Sequence, residues 1–132
     1  MKKGYYTEIE KRTIENEAFR TVLYTGEHMQ LVLMSLKEGE DIGEEVHEEN
    51  DQFFRFEEGT GTVRINESEY QVRDGDIIIV PAGAKHNVIN TGASALKLYT
   101  IYTPAHHKDG ITRVTKEEAL SDEPHFDGVT TE

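Results

Sequence analysis

Residues 75–90 decide the fold, and they read Gly75-Asp-Ile-Ile-Ile-Val-Pro81-Ala-Gly83-Ala-Lys-His86-Asn-Val-Ile-Asn90. Residues 77–80 are all branched and apolar; the run is too short for a helix and is typical of a strand buried on both faces. The proline and glycine that follow predict a turn. We therefore expect a second strand over residues 86–90, with His86 where the chain re-enters the sheet.

An earlier stretch carries further side chains that can bind a metal ion, and it reads Glu45-Val-His47-Glu-Glu49-Asn-Asp-Gln52-Phe-Phe-Arg-Phe-Glu-Glu-Gly59. Side chains two apart on a strand point the same way, so His47 and Glu49 can reach one ion together. In the next run Gln52 shares a face with Phe54, whereas Asp51 falls on the opposite face. With His86 as a further nitrogen ligand, the prediction is a site with two nitrogens and two oxygens: His47, Glu49, Gln52 and His86.

Each of these residues also has a purely structural interpretation. His47 and Glu49 could form a solvated strand end, Gln52 could satisfy backbone groups, and His86 could be a hydrogen-bonded core histidine. Their occurrence together, with glycines and a proline at regular spacing, favours the metal site.

The rest of the chain reads mostly as short strands. They are expected over residues 19–24, 29–36, 46–49, 53–57, 61–66, 69–73 and 96–102. Turn signals at residues 25–28, 57–59 and 66–68 predict tight hairpins. The best helix candidate covers residues 115–120, where Thr115 and Glu118 have the spacing of a capping box. So many short strands predict an all-β protein, a closed sandwich or barrel.

Composition limits the classes of partner. The chain has 132 residues, enough for one hydrophobic core, and it has no cysteine, so a metal would be held by nitrogen and oxygen. With 26 acidic and 14 basic side chains the net charge is −12, which makes nucleic acids and anionic membranes poor partners. No apolar run follows the first lysines, so neither a signal peptide nor a membrane span is expected, and a cytoplasmic location is the default.

These two stretches resemble the two motifs of the cupin superfamily. The second matches at every fixed position, whereas the first has Glu49 in place of a histidine and Gln52 in place of a glutamate. The resemblance implies a jelly-roll β-barrel with an ion near one mouth. It divides the chain into N-terminal strands packing on the barrel or a partner (1–28), the barrel (29–103) and a polar C-terminal arm (104–132). The chain looks most like small single-domain bacterial cupins of the mannose-6-phosphate isomerase-like group.

Three functional hypotheses follow from this reading. The first is a metalloenzyme that uses Zn, Ni, Mn or Fe on a small carbonyl or sugar-like substrate; an isomerase is preferred to a dioxygenase, which would use the same donors. The second is a noncatalytic cupin that binds a small ligand. The third is a structural homodimer with an empty barrel.

Residues outside the motifs have a smaller role in these hypotheses. His106 and His107 follow the last strand, where an arm could fold over the mouth and contact the ligands or the substrate. Lys85 could serve one phosphate. Phe54, Phe56, Tyr99 and Ile101 are expected to line the barrel. The extra N-terminal segment and outward-facing aromatic residues predict a homodimer.

Overall fold

The computed structural model describes all residues from Met1 to Glu132 and consists of two antiparallel sheets packed face to face. Its strands are β1 (Arg20–Thr25), β2 (Gln30–Leu36), β3 (Glu45–Val46), β4 (Asp51–Glu58), β5 (Thr60–Ile65), β6 (Ser68–Arg73), β7 (Ile77–Val80), β8 (Lys85–Asn90), β9 (Leu96–Thr103) and β10 (Thr112–Arg113). Its helices are α1 (Ile9–Glu15) and α2 (Lys116–Ser121). The six-stranded sheet has the order β10-β1-β2-β9-β4-β7 and the four-stranded sheet the order β3-β8-β5-β6. The fold is an all-β jelly-roll sandwich, as predicted.

The core lies between the two sheets and is made by alternate residues of each strand. Seventeen buried apolar residues form one cluster, and the largest of its fully buried side chains are Phe54 and Phe56 of β4, both at most 1% exposed. Val63, Val88 and Leu98 are fully buried in the same cluster. We expect a core of this size to stay folded without a bound ion.

Two of the three predicted hairpins are confirmed. β1 pairs with β2 around Gly26, and β5 pairs with β6 across the two residues Asn66 and Glu67. The hairpin predicted at residues 57–59 is wrong, because β4 lies in the six-stranded sheet and β5 in the other. The chain crosses between sheets at Gly59, where a side chain would come within 2.6 Å of the Ala95 carbonyl oxygen. The close backbone approach requires glycine there.

Two predictions of burial are wrong for the same reason. β7 is the edge of the six-stranded sheet, and its burial alternates: Ile77 and Ile79 are 46% and 60% exposed. On β9, Leu98, Thr100 and Tyr102 point inward, so Tyr99 and Ile101 lie on the outer face. The outer side of this sheet is only partly covered, and branched side chains there do not imply burial on both sides.

The N-terminal segment contains a helix that the sequence reading missed. α1 packs on the outer face of the six-stranded sheet against β4 and β9, with Thr13 buried. Lys97 of β9 donates from Nζ to the carbonyl of Asn16 at 2.5 Å, which fixes the end of the helix to the sheet. Of the segment predicted as strands, only β1 is extended in a sheet.

The C-terminal segment is not a loose polar arm. β10 pairs with β1, and α2 forms as predicted, with Thr115 accepting from the Glu118 amide. Ala119 of α2 is 1% exposed within the core cluster. Two ion pairs join the segment to the sandwich: Glu123 with Arg20 and Lys116 with Asp41. No helix of the structure has the length and apolar character to cross a bilayer.

Candidate metal centre

Three side chains with metal-binding atoms meet where β3 ends beside β8. Glu45 of β3 is the register partner of His86 of β8, and directly paired residues point to the same side of a sheet. His47 follows two residues after Glu45. Their ligand atoms all lie within 4.8 Å of one another. The prediction that His47 and His86 approach each other therefore agrees with the geometry, whereas the carboxylate beside them is Glu45.

Glu49, the predicted carboxylate, lies elsewhere. The strand ends at Val46 rather than at residue 49, and Glu48 and Glu49 form an exposed turn. Alternation of side chains holds only while the chain stays extended, so the step from His47 to Glu49 does not preserve direction. Applied toward the N-terminus, the same spacing of two residues leads from His47 to Glu45. Asn50, a residue type that is common in turns, directly follows this turn and is a signal that the strand stops early.

His86 is buried and held in a defined orientation. Its Nδ1 lies 3.0 Å from the carbonyl oxygen of Ala84, so Nδ1 carries the proton and donates, and Nε2 keeps a free lone pair. Burial lowers the pKa of His86, as does the nearby charge of His47. The imidazole is therefore neutral at pH 7, the form that binds a metal ion.

Glu45 and His47 are in direct contact. Glu45 Oε2 lies 2.6 Å from His47 Nε2, an ion-pair contact that holds the two side chains together. Burial raises the pKa of Glu45, but the contact with His47 and the charges of Arg20 and His86 outweigh it, and the net pKa is lowered. Glu45 is therefore an ionised carboxylate aimed at the other two side chains.

Gln52, the fourth predicted ligand, is buried on the inner face of β4. Its Nε2 donates to Thr100 Oγ1 at 3.0 Å, whereas its Oε1 has no partner. Phe54, next on the same face, has its ring centroid 6.3 Å from that of His86. Tyr102, paired with Gln52 across the strands, has its ring 5.6 Å from that of His47. Gln52 thus lies beside the cluster with a free carbonyl oxygen.

The donor set fits a divalent ion. A buried polar atom without a partner costs about 1–3 kcal/mol, and Gln52 Oε1 is such an atom, since only the amide nitrogen of this side chain binds Thr100. Two donors of one ion lie at most about 4.4 Å apart, because each bond is about 2.0–2.2 Å. The ligand atoms of Glu45, His47 and His86 lie within 4.8 Å of one another, so the widest pair would have to close by at most about 0.4 Å to share an ion.

A histidine cluster from the C-terminal segment packs against the site. The ring of His106 lies 4.3 Å from that of His47, 5.3 Å from that of Tyr102 and 5.7 Å from that of His125. Burial lowers the pKa of His106 to about 4, helped by the charge of His47. His107 is 2% exposed, and its Nε2 lies 3.2 Å from the Tyr102 hydroxyl.

Gln30 holds this cluster in place. Its Oε1 accepts from the backbone amides of His106 and His107, and its Nε2 donates to the His107 carbonyl. Gln30 is fully buried. Sequence reasoning identified the arm histidines but missed Gln30 and His125, which carry no spacing signal.

A cavity of about 300 Å³ opens to solvent beside His47. Its walls come from the turn after β3 and from the C-terminal segment; they are Val46, His47, Glu48, Glu49, Asn50, Pro104, Ala105, His106, His125 and Phe126. Glu49 thus lines the approach to the cluster. Lys85 does not line it, since its Nζ pairs with Glu44 at 3.2 Å on the surface.

Comparison with known proteins agrees with the fold. The cupin domain model matches residues 32–102. The chain is 46% identical over 127 residues to the uncharacterized protein YrkC of Bacillus subtilis, covering 92% of this chain and 68% of that protein. It is 40% identical to the uncharacterized protein L612 of Acanthamoeba polyphaga mimivirus, covering 87% and 74%.

A solved structure is similar over almost the whole chain. The crystal structure of BH2720 from Bacillus halodurans superposes with a TM-score of 0.90 at 44% identity, covering 91% of this chain and 96% of that one. The match therefore includes most of the segments outside the barrel. By its domain match, its relatives and its architecture, the chain belongs to the cupin family.

Proposed function

We propose that the protein binds one divalent metal ion through Glu45, His47 and His86, with Gln52 as a fourth ligand. The observation that carries this proposal is the convergence of three ligand atoms within 4.8 Å of one another, together with the buried amide oxygen of Gln52, which has no hydrogen-bond partner. Glu45 takes the place first predicted for Glu49, because Glu49 would have to leave its exposed turn to reach the cluster.

Two imidazoles, one carboxylate and one amide oxygen suit Zn, Ni, Mn or Fe. Such an ion, when bound, acts as a Lewis acid that polarises a carbonyl oxygen. Thr100 orients Gln52 so that its amide oxygen is left for the ion. The hydrogen bond to Ala84 leaves Nε2 of His86 for the same purpose.

We propose further that the protein acts on a small carbonyl or sugar-like molecule as an isomerase. Proton transfer between neighbouring carbons needs an acid or base that is not itself a ligand. His106 lines the cavity and packs on His47, which gives the approach to the site such an imidazole. This placement favours the isomerase over a dioxygenase, which needs no such group.

Elemental analysis of protein purified without a histidine tag tests the ion. We expect about one divalent ion per chain, removable by a chelator and restored by Zn²⁺, Ni²⁺, Mn²⁺ or Fe²⁺. Incorporation of deuterium from D₂O into D-mannose or D-fructose, followed by NMR, tests the isomerase with the reloaded protein. Failure of all four ions to bind would remove the metal site, and retention of all carbon-bound protons would remove the isomerase.

We also propose that the chain forms a homodimer through β7, the exposed edge of the six-stranded sheet, and the outer-face side chains next to it. Ile77 and Ile79 are exposed there, and Phe53 and Tyr99 lie beside them with rings 6.3 Å apart. Exposed apolar side chains grouped at one edge of a sheet are typical of a protein interface. Light scattering should return twice the 15.0 kDa chain mass, and Ile79→Lys should return the monomer.

A further inference from the structure

The cavity beside His47 is lined by two carboxylates and by no lysine or arginine. The two carboxylates, Glu48 and Glu49, stand on its rim. Exposed carboxylates are ionised at neutral pH, and they repel anions within a Debye length of about 8 Å. The negative net charge of the whole chain acts in the same direction.

The nearest candidates for phosphate recognition are engaged elsewhere. Lys85, next to His86 in sequence, pairs with Glu44. Arg20 is buried, and its guanidinium pairs with Glu123 at 3.1 Å. Proteins bind phosphate with Arg or Lys side chains or with free backbone amides at a helix N-terminus. The walls of this cavity offer no such cation, and neither helix contributes to them.

The same walls suit a ligand that carries hydroxyl groups. Carboxylate oxygens of Glu48 and Glu49 accept hydrogen bonds from hydroxyls, and imidazoles such as His106 and His125 both donate and accept. Phe126 supplies an apolar surface for the carbon skeleton. A volume of about 300 Å³ is at the lower end of the range for ligand sites, which limits the ligand to one small ring.

We infer that this cavity binds an uncharged, polyhydroxylated molecule of about monosaccharide size and rejects its phosphorylated form. The inference rests on the proposed function, since it places this molecule next to the proposed ion through His47. It narrows the substrate class, because a sugar phosphate would bring two negative charges to a carboxylate rim.

Ligand-observed NMR by saturation transfer tests this with untagged, Zn²⁺-loaded protein. The probes are D-mannose, D-glucose and D-fructose, each compared with its 6-phosphate. We expect the neutral sugars to bind and each phosphate to bind at least about tenfold more weakly. Equal or tighter binding of the phosphates would overturn the inference, and so would the absence of binding by all three neutral sugars.

A charge-reversed rim sharpens the test. In the double variant Glu48→Lys with Glu49→Lys, the preference for the neutral sugar should shrink or reverse. The matched control, Glu38→Lys with Glu67→Lys, changes the net charge equally at exposed turns away from the cavity and should keep the wild-type preference. An identical preference in both double variants would show that the rim does not select the ligand.

The outcomes separate this inference from the proposed metal site. Zn²⁺ content is measured on the same samples. Bound Zn²⁺ without binding of neutral sugars overturns the cavity assignment and leaves the ion in place. Binding of neutral sugars by protein that holds neither Zn²⁺ nor, after reloading, Ni²⁺, Mn²⁺ or Fe²⁺ overturns the ion and leaves the cavity.

Discussion

The two segments that supply the candidate ligands are held in different ways. His86 is fixed by its own neighbours: a turn with Gly83 at φ 86° sets its strand, and its ring donates to the carbonyl two residues before it. Asn90, at the other end of β8, binds Leu36, Ser94 and Gly92 with its side chain. The geometry of this segment is mostly local.

Glu45, His47 and Gln52 depend on contacts that are distant in sequence. Glu45 is placed by pairing of β3 with β8, Gln52 by Thr100 of β9, and His47 by the ring of His106 from the C-terminal segment. A sequence pattern can report a local geometry, whereas a geometry set by distant contacts has to be observed. The predictions below test this difference.

Substitution of His86 should have the largest effect. His86→Ala removes one of the two imidazole ligands, so we expect metal affinity to fall by more than about 100-fold. Replacing a residue that only hydrogen-bonds to a metal ligand usually lowers affinity by about 10- to 100-fold. The barrel should stay folded, because its 17-residue core does not use this side chain. A competitive chelator titration measures the metal affinity, and circular dichroism measures folding. His28→Ala, which changes an exposed histidine, is the control. Unchanged affinity in His86→Ala would contradict the site.

The next largest effect on metal affinity should show whether Glu45 or Glu49 is the carboxylate ligand. Glu45→Gln keeps the shape and removes the charge, and we expect metal affinity to fall about 10- to 100-fold. Glu49→Gln makes the same change on the exposed turn and should alter affinity by less than about twofold. The same chelator titration compares them. A larger loss in Glu49→Gln would mean that the turn refolds around the ion, as the sequence reading assumed.

Acid should destabilise the metal-free protein partly through the C-terminal segment. His106 has a folded pKa of about 4, below the unfolded value of about 6.5. Between these values the unfolded chain binds more protons, so the free energy of unfolding falls as pH falls from 6.5 to 4. We expect His106 to contribute about 1–2 kcal/mol of that loss, after discounting its partial exposure.

Urea unfolding at pH 6.5 and 4.5 in a chelator measures this loss. His106→Gln should lose less stability than wild type over the interval, whereas His28→Gln should lose as much as wild type. His107, whose pKa is lowered by burial and by Arg20, adds to the loss in all three proteins. An equal loss in His106→Gln and wild type would mean that His106 is not buried in its neutral form.

The fold followed from the sequence because its signals are local. Turn residues and short β-rich runs located nine of the strands, and the turn before β8 placed His86. Most of the wrong predictions concern distant contacts: the crossing of the chain between sheets at Gly59, the edge position of β7, and the packing of α1 on the outer face. The position of Glu45 also depends on a distant contact, its pairing with His86 across β3 and β8.

The smallest expected effect concerns the contact between the segment of His47 and the turn before His86. Gly83 donates its amide to the carbonyl of His47 at 3.0 Å, and a side chain on it would lie 3.3 Å from Glu48 Oε2. Both Gly83→Ala and Gly75→Ala put alanine at a positive φ, so each should cost about 1 kcal/mol in the free energy of unfolding. Gly75 has open space around it and is therefore the control for backbone strain alone.

The two glycine variants should differ in metal binding. Gly83→Ala shifts the amide that binds the His47 carbonyl, so we expect the metal affinity of this variant to fall by less than about tenfold. This loss is smaller than the usual effect of replacing a residue that hydrogen-bonds to a metal ligand. Gly75→Ala should bind the ion as wild type does. Urea unfolding and the chelator titration together measure this. Equal affinity in the two variants would mean that His47 is positioned without the turn before His86, and that the two segments act independently.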